Sequence, residues 1–125
     1  MRYKITIRYE GDYLHVRHTG DDSYQISLEL WRRIAKACEK HQCFNILGES
    51  DTDKLLSTMD AFNHIKIFRD AGITHKHRIA WVNHNPAAKQ QFKFIETVLK
   101  NRPTASGALF ENIEKGKKWL LNNEN

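Results

Sequence analysis

His75-Lys76-His77-Arg78-Ile79-Ala80-Trp81-Val82-Asn83-His84-Asn85-Pro86 is the stretch whose reading decides the fold. From Arg78 to Asn83 the apolar run is continuous, as in a strand buried on both faces of a helix-covered parallel sheet. Asn85 then caps a helix that Pro86 opens, since proline at the first helical position gives up only an amide without a partner. The apolar stripe of that helix is Ala88, Phe92, Ile95, Val98 and Leu99, with lysines opposite, and Arg102-Pro103 closes it. A buried strand followed by a capped amphipathic helix is the repeating unit of an α/β protein.

Toward the C-terminus, Ser106-Gly107-Ala108-Leu109-Phe110 reads as a short strand, and a last helix turns Ile113, Gly116, Trp119 and Leu120 inward. Glycine in a helix costs about 1 kcal/mol against alanine, so Gly116 suggests close packing or a weak point. Toward the N-terminus, Ser57 and Asp60 form a variant capping box, followed at helical spacing by Ala61, Phe62, Ile65 and Phe68 and ended by Gly72. Gly48-Glu49-Ser50-Asp51-Thr52-Asp53-Lys54 is polar throughout and is expected to be a loop, with Cys43 to Gly48 a short strand before it. Ser27 is the expected cap of a helix reaching about His41, with Leu30, Trp31, Ile34 and Cys38 on its inner stripe. Tyr3 to Tyr9 and Tyr13 to His18 alternate with period two about Glu10-Gly11-Asp12, which is a hairpin. The expected architecture is a five-stranded mixed, mostly parallel sheet with four helices, in the order β-β-α-β-α-β-α-β-α.

A chain of 125 residues, 40% hydrophobic and 28% charged, fits one domain spanning 1–125 and argues against disorder. The apolar runs fall far short of the roughly 20 residues that cross a bilayer. Charges interrupt the first eight residues, where a signal peptide needs an unbroken apolar segment, so a cytoplasmic location is expected. Cys38 and Cys43 are the only cysteines and are read as free thiols. The net charge of +5 is spread over every predicted element rather than gathered in a stripe, which argues against a specific nucleic-acid partner.

No catalytic motif stands out. His15 and His18, three apart on a strand, point to opposite faces, and His75 and His77 have no carboxylate or cysteine at ligand spacing, so no metal or cofactor is expected. Asp60 and His64, one helical turn apart, lack a nucleophile and are expected to be a helix-surface ion pair. There is no Gly-x-Ser-x-Gly elbow, glycine-rich phosphate loop or His-Glu-x-x-His segment, so the reading is non-enzymatic.

The element order, the strand Ile79 to Val82, the helix from Pro86 to Lys100 and the ending Ala108-Leu109-Phe110 through Trp119-Leu120 together resemble the STAS domain (sulphate transporter and anti-sigma-factor antagonist). The likeness is to its SpoIIAA-like branch of small bacterial proteins, grouped with SEC14-type domains. It implies a regulatory or protein-interaction module in which a serine at the start of the second helix is phosphorylated. Here that region reads Leu56-Ser57-Thr58-Met59-Asp60, which makes Ser57 and Thr58 the matching positions, without the family's Asp-Ser-Ser-Gly stretch. The leading expectation is docking of a protein partner through Glu49, Ser50, Asp51, Thr52, Ser57 and Thr58 and the exposed face of the second helix. The alternative is a small apolar or anionic, lipid-like ligand in a pocket between the second and third helices, flanked by Leu55, Leu56, Met59 and Phe62. Monomer and homodimer both remain open.

Overall fold

The structure is a computed structural model that describes residues 2–53, 56–100 and 105–122. Five strands, β1 Tyr3–Tyr9, β2 Leu14–Gly20, β3 Asn45–Thr52, β4 Arg78–Asn83 and β5 Ser106–Phe110, lie side by side in sequence order. The hairpin β1–β2 is antiparallel, and β2–β3, β3–β4 and β4–β5 are parallel. Helices α1 Tyr24–His41, α2 Thr58–Phe62, α3 His64–Ala71, α4 Lys89–Lys100 and α5 Ile113–Leu121 complete the fold, with a 3-10 turn at Pro86–Ala88 leading into α4. This is the expected mixed α/β sheet, with one helix more than expected.

The period of two divides the sheet into two unlike faces. Leu14, Val16, Ile46, Ile79 and Trp81 share one face and pack against Leu30, Trp31 and Ile34 of α1 and Ile67 and Phe68 of α3. Among the described residues the opposite face is covered by α5 alone, which sets Leu120 on Leu47 and Ala80. A Cβ at Gly116 would meet Leu47 Cδ1 at 3.2 Å, so of the two readings of that glycine close packing is the one present.

Three expectations are corrected. The polar segment from Gly48 is strand rather than loop: β3 runs on to Thr52, in parallel register with β2 as far as Gly20↔Thr52. Its polar side chains find partners across the sheet, and Gly48 leaves room for the Trp81 ring instead of ending the strand. The cap of α1 is Ser23, whose side chain accepts from the Ile26 amide (3.2 Å), while Ser27 is buried one turn in. The helix expected from Ser57 to Gly72 breaks at Asn63. There the His64 ring takes the carbonyls of Asp60 (3.0 Å) and Ala61 (3.2 Å), which a continuous helix would offer to main-chain amides. Both expected ends of that segment hold: Ser57 caps α2, and Gly72 ends α3 with φ 87°. Arg102-Pro103 lies outside the described residues.

Candidate functional site

Between α1, α3, α4 and the sheet lies a cavity of about 360 Å³. Trp31 of α1, Phe68 of α3 and Ile79 and Trp81 of β4 form its aromatic and aliphatic wall, with Leu56 before α2 and Phe92, Ile95 and Leu99 of α4 opposite. The rings form a chain, Phe68 to Trp31 at 4.6 Å and Trp31 to Trp81 at 5.4 Å between centroids. The Trp81 indole donates from Nε1 to Ser50 Oγ at 3.0 Å, fixing the ring on the cavity floor. At the sheet margin the Glu96 carboxylate accepts from the Leu109 amide (2.9 Å) and ties α4 to β5.

Polar groups gather where β2 turns into α1. Gly20 has φ 89°, and the chain then passes through Asp21 and Asp22 to the cap Ser23. Asp22 Oδ1 accepts from the Ser23 amide and from the Ser27 hydroxyl, both at 2.8 Å. Burial pushes the Asp22 carboxyl above the ordinary carboxylate range, against the opposing pull of His18, the bonds from Ser27 and Ser23, and His64. His18, 1% exposed, donates from Nε2 to the Asp21 carbonyl at 3.0 Å. His64, 5% exposed, donates from Nδ1 to Asp60 and Ala61, and burial holds its imidazole below its usual range, in the neutral form.

The second ring nitrogens, His18 Nδ1 and His64 Nε2, have no hydrogen-bond partner among the described residues. Among the described residues the sealed, partnerless side-chain atoms are His77 Nε2, Arg78 Nε and Gln91 Oε1. The two free imidazole nitrogens are not sealed in this way, and both residues line the cavity. Both rings thus keep an unused acceptor nitrogen on a residue that lines the cavity. Chemically the site is a largely apolar chamber with a carboxyl and two hydrogen-bond acceptors at one end and Glu96 and Lys100 on its α4 side, the usual composition of a small-molecule pocket. No three His, Cys, Asp or Glu side chains among the described residues are arranged to hold a metal ion.

The residues singled out from the sequence divide between the two faces. Ser50 and Leu56 line the cavity. Glu49 points the other way, 7% exposed, with Oε2 on His15 Nε2 (2.6 Å) and Oε1 on His84 Nε2 (2.8 Å) and Arg17 Nη1 (3.2 Å). Burial alone would raise its pKa, but the bonds from His84 and His15 and the charges of His15 and Arg17 outweigh it and hold the carboxyl below its ordinary value. Thr52 is buried, its carbonyl accepting from Asn85 Nδ2 (2.7 Å), and Asp51 is exposed. Ser57 and Thr58 are exposed at the start of α2, Ser57 Oγ accepting from the Asp60 amide at 3.0 Å. Met59 and Phe62 are 65% and 44% exposed and face solvent rather than the cavity. Leu55 lies outside the described residues.

His18, Asp22, His64, Trp31 and Trp81 were not legible as a site. The sequence placed His15 and His18 on opposite faces, which is how they lie, but offered no partner for either. His64 is a buried cavity residue rather than half of a surface ion pair with Asp60, because its ring bonds to carbonyls of the preceding turn. The available signal was positional: Asp22 follows a strand's carboxyl end, where ligands of parallel sheets collect. His75 and His77 do not pair, since His75 is exposed and His77 is 2% exposed against Phe44. Cys38 and Cys43 are both free and buried, as expected.

The sequence matches no known protein-family profile and no curated protein. Among solved structures, the chain is similar to an uncharacterised DUF3478-family protein from Shewanella loihica PV-4, described as having a SpoIIAA-like fold. The two share 18% identity over 94% of this chain and 93% of the other, with a TM-score of 0.55. Likeness at that identity speaks of fold alone: the chain is an α/β domain of SpoIIAA-like fold.

Proposed function

We propose that the protein is a binding module for a small, largely apolar molecule held between α1, α3 and α4. The observation that carries this reading is the 360 Å³ cavity, with aromatic walls, His18, Asp22 and His64 together at one end and Glu96 and Lys100 on the α4 side. A chamber of this size left empty forfeits packing contacts, a cost that an occupant would recover. The proposed role is binding, without a bond-breaking step. Native mass spectrometry of protein purified from its host, beside the same protein after denaturation and refolding, tests it. A bound mass lost on refolding is expected. Equal masses, together with no shift of the Trp31 and Trp81 indole signals on adding small aromatic probes, would count against it.

A second reading, docking of a protein partner as in a regulatory module, is supported by Met59 and Phe62, large apolar side chains exposed on one short helix. It shifts the docking surface from the polar segment, now strand β3, to α2. Replacing both residues by serine leaves the core intact and abolishes partner recovery under this reading. Unchanged recovery would remove it.

A further inference from the structure

The polar end of the cavity narrows the ligand class, and this step rests on the pocket reading above. Asp22 Oδ1 is already used by Ser23 and Ser27, while its second oxygen has no partner among the described residues. His18 commits its Nε2 proton, and His64 its Nδ1 proton, to main-chain carbonyls. What this end of the chamber offers a ligand, among the described residues, is one carboxyl oxygen and two imidazole lone pairs, while Glu96 and Lys100 line its α4 side. Asp22 lies within electrostatic reach of both rings.

Three acceptors call for three donors. A hydroxyl brings one donor and leaves two acceptors unanswered in an apolar chamber. A carboxylate brings none and meets the Asp22 carboxyl. A metal ion needs its ligands at about 2.1 Å, and no such set exists among the described residues. An ammonium group has three N–H bonds and accepts partners at about 2.7 to 3.2 Å. We propose that the cavity takes a primary amine, its ammonium seated on the free oxygen of Asp22, His18 Nδ1 and His64 Nε2, with an apolar body against Trp31, Phe68 and Trp81. The three rings supply apolar area and also π faces on which a nearby cation is favoured. An ammonium at this position offsets the cost of burying the Asp22 charge.

The test is an NMR titration at pH 7.5, following the Trp81 indole, with three probes of nearly one shape: 2-phenylethylamine, 2-phenylethanol and ethylbenzene. The amine is expected to bind at least about tenfold more tightly than either of the others, as befits charge-assisted hydrogen bonds. In Asp22→Asn the amide oxygen still accepts from Ser23 and Ser27. There the amine falls to the level of the alcohol, while ethylbenzene changes by less than about twofold. If ethylbenzene binds the native protein as well as the amine does, the amine assignment is overturned and the apolar pocket stands. If none of the three binds, both readings fall. The comparison on the native chain decides the matter even if the variant does not fold.

Discussion

Replacing Gly48 by alanine tests the correction that most changes the picture, the conversion of an expected loop into the middle of a buried strand. A Cβ at position 48 would stand 2.1 Å from Trp81 Cζ3, 2.2 Å from Cε3 and 2.8 Å from Cη2. Ordinary carbon contacts are about 3.5 to 4.0 Å, so the ring must move by more than about 1 Å. It is held by its 3.0 Å bond to Ser50 and by Trp31, and the open direction is the cavity. Overpacking of this kind costs about 1 to 3 kcal/mol, and losing the indole bond adds about 1 kcal/mol. The sum is roughly 2 to 4 kcal/mol. With an unfolding entropy of about 2.1 cal/mol/K per residue, it lowers the melting temperature of this chain by roughly 8 to 15 °C. Gly107→Ala is the control: its Cβ would meet the Ile79 carbonyl at 3.4 Å and Ile79 Cβ at 3.5 Å, so less than about 1 kcal/mol is expected. Differential scanning calorimetry of the two variants measures the difference. Equal melting temperatures would refute the placement of Gly48 beneath Trp81, and with it the course of β3.

Glu49→Gln removes the charge that holds His15, His84 and Arg17 together, and should cost about 1 to 3 kcal/mol at pH 7 by urea denaturation. The native carboxyl titrates below its ordinary value, so its stabilisation is complete above the unfolded pKa and is lost as pH falls through the native one. The acid limb of the stability profile should therefore flatten in the variant, and an unchanged limb counts against the clamp. Asp22 has the opposite sign. Its native carboxyl is raised, so the stability linked to it is present below the unfolded pKa and is lost as pH rises through the native one. Asp22→Asn should then gain relative to the native protein between acidic and neutral pH, and a constant difference across that range excludes the raised carboxyl. Burial pushes the Cys38 thiol up to about 12, so its alkylation at pH 8 should proceed only as fast as the protein opens, as mass spectrometry of the alkylated chain can show. Rapid labelling of Cys38 in the native state would contradict its burial.

Local signals in the sequence are sufficient where backbone geometry and burial act over a few residues. The alternation of Tyr3 to Tyr9, the apolar run Ile79 to Val82, the cap at Ser57 and the left-handed end at Gly72 are of that kind, and each is where it was expected. Polarity misled where a polar side chain meets a partner distant in the chain. Glu49 reads as loop because His15, Arg17 and His84, up to 35 positions away, are invisible to a local window. Helix spacing misled at His64, because a side chain that captures carbonyls of the preceding turn ends a helix that apolar periodicity would continue.

By itself the sequence determined the class of fold, the hairpin followed by alternating strands and helices and the inward faces of α1, α4 and α5, because these follow from residue-by-residue steric and hydrophobic preference. Only the tertiary structure decided that β3 carries its polar residues into the sheet, that α5 alone among the described elements covers one face, and that His18, Asp22 and His64 line one cavity with Trp31 and Trp81. Those three polar residues come from the end of β2, the turn after it and the start of α3. No spacing along the chain encodes their meeting, because it is the packing of α1 and α3 on the sheet that brings them to one cavity.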